Sequence, residues 1–139
     1  YLTVLYLLDT NHLSPLVTPK HPLRHRVIQA LEAGNRFGIC LPCVTEVIFG
    51  IGLLPRATQN RIEWETLLPN FQIYVPDLED AKDAAELQIV LRKQGRQLET
   101  VDAMIAVVAV NHQLTLLTTD KDFMSVPGLS TENWLLPRS

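Results

Sequence analysis

Three runs of strand length, residues 2–8, 37–41 and 114–118, are apolar at most positions and close on polar residues. A strand wetted on one face alternates, whereas a nearly continuous apolar run such as residues 2–8 belongs to a strand covered on both faces, as in parallel sheets lying between helices. A fourth run, Phe71–Val75, alternates and is ended by Pro76. Helix-length segments separate these runs, and crossovers of that length join parallel neighbours, so the chain reads as an α/β domain with a mainly parallel sheet. With 139 residues and 47% hydrophobic content, the chain can build one proper core but not two, and residues 1–139 are expected to form a single domain.

Between the strands, the three prolines of residues 12–22 allow only short helical turns. A helix is predicted from about Leu23 to Ala33, with Leu23, Val27, Ile28 and Leu31 on one face and Gly34 as its stop. Pro42 suits the first turn of a second helix reaching about Leu54, with Val44, Val47, Ile48 and Ile51 inward. A third helix is expected over about Pro55–Leu68, where Ile62, Trp64 and Leu67 do not sort into faces. An amphipathic helix follows over about Leu78–Gln94, with Gly95 as its C-cap. After the loop Arg96–Glu99, Thr100 is a potential cap for a helix that carries the apolar run 103–110 and ends near Asn111–His112.

Four acids stand where this apolar framework meets its turns. Asp9 follows the first strand, Glu46 lies near the start of the helix after the second, Asp102 heads the apolar helix, and Asp120 follows the last strand. A first-turn acid such as Asp102 is favoured by the helix dipole and, taken singly, is an ordinary structural feature. Burying an unpaired carboxylate costs several kcal/mol, about what a small domain has in reserve. Four at the edge of one core therefore point to a shared cation. In open α/β sheets, ligands gather at the carboxyl ends of the strands, where Asp9 and Asp120 would lie.

A net charge of −3 argues against binding nucleic acid by bulk electrostatics. It leaves a nuclease open, because carboxylates that hold a cation present positive charge to a phosphate once loaded. The densest basic patch, Lys20, Arg24 and Arg26 beside His21 and His25, reads as a solvated face or as a phosphate contact. His21 and His25 lack an evident third metal ligand. Cys40 and Cys43 form a C-x-x-C spacing that a redox protein would use, although Cys40 reads equally well as a small buried hydrophobe. No run approaches a membrane span of roughly 18 residues and no signal-peptide pattern opens the chain, so a soluble, cytoplasmic protein is expected. Because Tyr1 stands first, upstream residues are not excluded.

Four motifs carry a resemblance: residues 7–11 (LLDTN), 44–50 (VTEVIFG), 102–109 (DAMIAVVA), and 116–123 (LLTTDKDF) with 126–129 (VPGL) following. In this order and approximate spacing the sequence resembles the PIN-domain ribonucleases, and within them the VapC toxins of prokaryotic toxin–antitoxin pairs. The resemblance implies a three-layer α/β/α domain with a mainly parallel sheet of about five strands, a magnesium or manganese centre, and RNA cleavage. Carried over by position, Asp9, Glu46, Asp102 and Asp120 match the acidic quartet, and Asn11 and Thr118 match supporting polar residues. Asp122 competes with Asp120 for the fourth place; Asp120 has the family's spacing from Thr118.

Magnesium keeps several waters and is held by one or two carboxylates, for which Asp9 and Asp102 are the expected ligands, with Glu46 and Asp120 acting through water or a second ion. The resemblance also implies a homodimer and a small antitoxin partner. Consistent with an interface, the segment Glu46–Trp64 holds more large apolar groups than one helical pair can turn inward. A haloacid-dehalogenase-like phosphatase would require an acid where Asn11 stands. The remaining rivals are a housekeeping RNA-processing nuclease of the same fold and a C-x-x-C redox protein.

Overall fold

The computed structural model describes residues 3–136. Five strands, β1 (Leu5–Leu8), β2 (Arg36–Cys40), β3 (Gln72–Tyr74), β4 (Thr115–Leu117) and β5 (Ser130–Glu132), form one sheet in the order β3-β2-β1-β4-β5. Every neighbouring pair is parallel. The helices are α1 (Thr10–Leu13), α2 (Pro22–Glu32), α3 (Leu41–Gly52), α4 (Ala57–Leu67), α5 (Leu78–Lys93) and α6 (Thr100–Asn111). Short 3-10 turns follow α1 and α4, and another spans Lys121–Ser125.

Strand order fixes the layers. From β1 through β2 to β3 the chain steps one way across the sheet; it then returns past β1 and steps the other way through β4 to β5. Right-handed crossovers place α1–α4 on one face and α5–α6 on the other. The packing agrees, since α1 lies on α3 and α3 on α4, whereas α5 packs on α6. In α6, residues 105–109 are all buried, as the uninterrupted apolar run requires. Asn111 at its end donates to Asp80 in the first turn of α5, at 3.1 Å, so the two helices run antiparallel. Only three residues separate α6 from β4, so the start of α6, with Asp102, lies at the carboxyl edge of the sheet. The reversal of strand order falls between β1 and β4, where this class of sheet opens a crevice.

Several expectations shift in detail. The first strand begins at Leu5 rather than Leu2, residues 1 and 2 being outside the described range. Ile28 is exposed, leaving Leu23 and Val27 as the buried positions of α2. Trp64 and Leu67 supply the inner face of α4, and Ile62 faces outward. Thr100 does not cap α6: it is the first helical residue, Glu99 takes the cap position without a side-chain bond, and the Thr100 hydroxyl accepts a bond from Gln88. Within β2, Gly38 lies under the Tyr74 ring of β3, which a Cβ at that position would overlap.

Candidate active site

Asp9 follows β1 directly and is tied to β4 by its own backbone N–H, which donates to the Leu117 carbonyl at 3.0 Å. Its carboxylate is almost fully buried and accepts three hydrogen bonds. Oδ1 receives the Thr10 N–H at 2.9 Å, while Oδ2 receives the Thr118 hydroxyl at 2.7 Å and the Asn11 amide at 3.1 Å. Two carboxylate oxygens offer about four lone-pair positions, so these partners orient the group and leave room for one more, such as a cation. Thr118 also accepts the Asp120 N–H at 3.0 Å, joining the first and fourth acids through one hydroxyl. Asp120 in turn caps the Lys121–Ser125 turn by accepting the Asp122 N–H at 2.9 Å.

Asp102 shows that the four acids share one field. Burial and then the charges of Asp9, Asp120, Glu46 and Glu99 push its pKa up to about 6. Asp120 is among these charges and Asp122 is not. Glu46, on the second turn of α3, is the most exposed of the quartet. Among the described residues, no three Asp, Glu, His or Cys side chains converge tightly enough to grip an ion on their own.

Asn11 and Thr118, expected as supports, both contact Asp9. The basic patch does not form one open face. Arg24 is turned to Glu63 of α4 at 2.8 Å and to the Leu16 carbonyl at 3.1 Å, and Arg26 lies 4.0 Å above the Trp134 ring, while Lys20 is exposed. Cys40 and Cys43 are both buried; burial pushes the Cys40 thiol up to about 11 and Cys43 higher still, with Asp9 adding to the latter. A redox pair needs an accessible thiolate, and neither thiol provides one.

The residue that sequence reading missed is His12. Its ring is fully buried, Nε2 accepts the Trp134 N–H at 3.0 Å, and Nδ1 lies 2.7 Å from the Asn11 amide oxygen. Burial, with a smaller contribution from Arg26, draws its pKa down to about 4 and keeps the ring neutral at pH 7. No motif marks it; the available signal is a histidine three residues beyond Asp9 on a turn otherwise filled by Leu13, Leu16 and Val17.

Comparison with known proteins agrees with this fold. Residues 6–129 match the PIN domain. Ribonuclease VapC2 of Rickettsia felis is 26% identical over 133 residues, covering 94% of this chain and 98% of that protein. The crystal structure of VapBC2 from Rickettsia felis, bound to a DNA fragment from their promoter, superposes with a TM-score of 0.80 at 23% identity, covering 94% of this chain and 99% of that one. A toxin–antitoxin complex from Klebsiella pneumoniae is 31% identical with a TM-score of 0.62, covering 91% of this chain and 96% of that one. With the match spanning the four acids, strands β2 to β4 and the turn after β4, this chain belongs to the PIN-domain family, and within it is similar to the VapC members.

Proposed function

We propose that this protein is a magnesium-dependent endoribonuclease, the toxin of a VapBC-type pair, that hydrolyses RNA phosphodiester bonds at the centre formed by Asp9, Glu46, Asp102 and Asp120. The observation that carries the reading is the Asp102 carboxyl, whose ionisation is resisted by burial and by three other acids of the same crevice. A protein gains nothing in stability from such a set unless a cation balances it. Asp9 and Asp102 are the residues that would hold magnesium, or manganese in its place. Bound there, the ion supplies Lewis acidity, lowering the pKa of water and offsetting charge that grows on the scissile phosphate. Thr118, Asn11 and the Thr10 N–H hold the Asp9 carboxylate in its orientation. Glu46, toward solvent, and Asp120 accept protons from and align the attacking water. Water is the nucleophile, so the RNA 2′-hydroxyl takes no part and no covalent enzyme intermediate forms.

Lys20 and Arg26 are proposed to steer the phosphate backbone, with Arg24 acting mainly through Glu63. The name of the VapC2 relative and the complexes of the structural neighbours support an antitoxin as partner. A basic side chain of that partner, placed among the four carboxylates, would balance their charge and block the centre. Homodimerisation is supported by the exposure of Phe49, Leu53, Leu54 and Ile62 along α3, α4 and the connection between them. No helix among the described residues is long and apolar enough to cross a membrane, and the cytoplasm, where RNA is available, is the proposed place of action.

The test is incubation of the purified protein with RNA and magnesium, with EDTA, and with magnesium restored. Cleavage that EDTA stops and magnesium restores, that leaves no 2′,3′-cyclic phosphate, and that persists with 2′-O-methyl at the cut site is the expected result. Cleavage in EDTA, or ends bearing cyclic phosphate, would overturn the mechanism. A housekeeping nuclease of the same fold becomes the better reading if expression alone leaves growth unaffected and no small partner co-purifies from the native host.

A further inference from the structure

We propose that His12 is a positioning residue for the acidic centre, acting through the Asn11 amide to set the Asp9 carboxylate, and that the backbone of Trp134 holds it in that role. The inference rests on the metal-dependent reading above and deepens it.

The Trp134 N–H can only donate, so Nε2 of His12, 3.0 Å away, must be the unprotonated nitrogen. In a neutral ring the proton is then on Nδ1, and the 2.7 Å contact to the Asn11 oxygen is a bond donated by His12. The same Asn11 oxygen accepts the Thr119 N–H at 3.2 Å. With its oxygen held from both sides, the amide can present only its NH2 group to the centre, donating to Asp9 Oδ2 at 3.1 Å and lying 3.4 Å from the Thr118 hydroxyl. Flipping Asn11 would put an oxygen against the Asp9 carboxylate and a donor against two donors, so the histidine tautomer and the amide orientation fix each other. The relay therefore runs from the residue after next beyond β5, through α1, to the carboxylate at the end of β1. It gives the last strand a structural link to the first acid although 122 residues separate Trp134 from His12.

Groups that orient a metal ligand from behind are worth about 10–100-fold in metal affinity or activity when removed. Two substitutions divide the relay. His12→Gln can keep an oxygen near the Nε2 position for the Trp134 N–H but places no donor against Asn11. His12→Asn places a donor near the Nδ1 position and gives up the Trp134 contact. Manganese binding, followed by calorimetry and by the loss of free-ion EPR signal, reads the centre without turnover. The expected result is about tenfold weaker binding in His12→Gln, substantial rescue in His12→Asn, and no further loss when His12→Gln is added to Asn11→Ala. Equal affinity in wild type and His12→Gln, or additive losses in the double variant, would overturn the relay while the metal reading stood. Absence of manganese binding by the wild-type protein would overturn both. A measurement on the unaltered protein covers the case of variants that do not fold: long-range 1H–15N correlation spectra should show His12 protonated at Nδ1 and bare at Nε2 at neutral pH, and the opposite tautomer would refute the proposal.

Discussion

At the scale of single residues, the protein carries its functional demand as an electrostatic cost. Asp102 has a folded-state pKa of about 6 against an ordinary value of 3.8, owing first to burial and then to Asp9 at the end of β1, Asp120 after β4, Glu46 on α3 and Glu99 ahead of α6. Below pH 3.8 the carboxyl is protonated in both folded and unfolded chains, and the stability that goes with the protonated form is fully present. As pH rises through about 6 the folded protein loses that proton, and the contribution is lost with it. Metal-free Asp102→Asn should therefore melt above the wild type at pH 7.5 and level with it near pH 4. The group is partly exposed, so solvent screening reduces the gain to about 1 kcal/mol, or roughly 3 °C. Adding magnesium should reverse the order at pH 7.5, because only the wild type gains from the ion. Paired melting curves at the two pH values check this, and a variant that melts below the wild type at pH 7.5 without metal would contradict the repulsion.

Elements show which parts of the sequence spoke for themselves. A first strand that does not alternate and a nearly unbroken apolar helix announced a covered parallel sheet, and the acids at their ends were legible because turns interrupt apolar runs there. The strand β5 was not, since Ser130–Glu132 is three residues long, mostly polar and at the sheet edge, where pairing with β4 rather than residue type makes it a strand. The patch on α2 was misleading for a related reason: charge in sequence says nothing about who stands opposite. Arg24 faces Glu63 of α4, and the two side chains are only 17% and 18% exposed, so the pair holds two helices together. Arg24→Ala should accordingly cost about 1–2 kcal/mol by stranding Glu63, and leave the salt dependence of RNA binding nearly unchanged. Lys20→Ala should do the opposite, leaving stability intact and lowering the slope of log affinity against log salt by up to roughly one unit. Thermal melts and a salt titration of RNA binding separate the two outcomes. A slope that falls with Arg24→Ala and not with Lys20→Ala would return the RNA contact to the paired arginine.

For the whole molecule, the balance of apolar surface decides what must cover it. The helices α3 and α4 bury Val47, Ile51, Trp64 and Leu67, yet they and their connection leave Phe49 at 69%, Leu53 at 72%, Leu54 at 51% and Ile62 at 54% exposure. Phe49 in the last turn of α3 and Leu53, its C-cap residue in helical conformation, are four residues apart and so project from the same side. Surface of this kind on a small domain marks an interface. The excess of large apolar residues in this segment was visible in the sequence, but which of them turn outward was not, because Ile62 and Trp64 stand two apart with no periodicity to sort them. Light scattering should give twice the chain mass for the protein alone at tens of micromolar, and Phe49→Asp with Leu53→Asp should lower it toward the monomer or abolish capture of the small partner. Both changes lie on exposed positions, so the circular-dichroism spectrum of the folded chain should hold while assembly fails. A wild-type monomer at that concentration would remove the homodimer, and a double variant that still dimerises and still retains the partner would show that the exposed face of α3 serves neither contact.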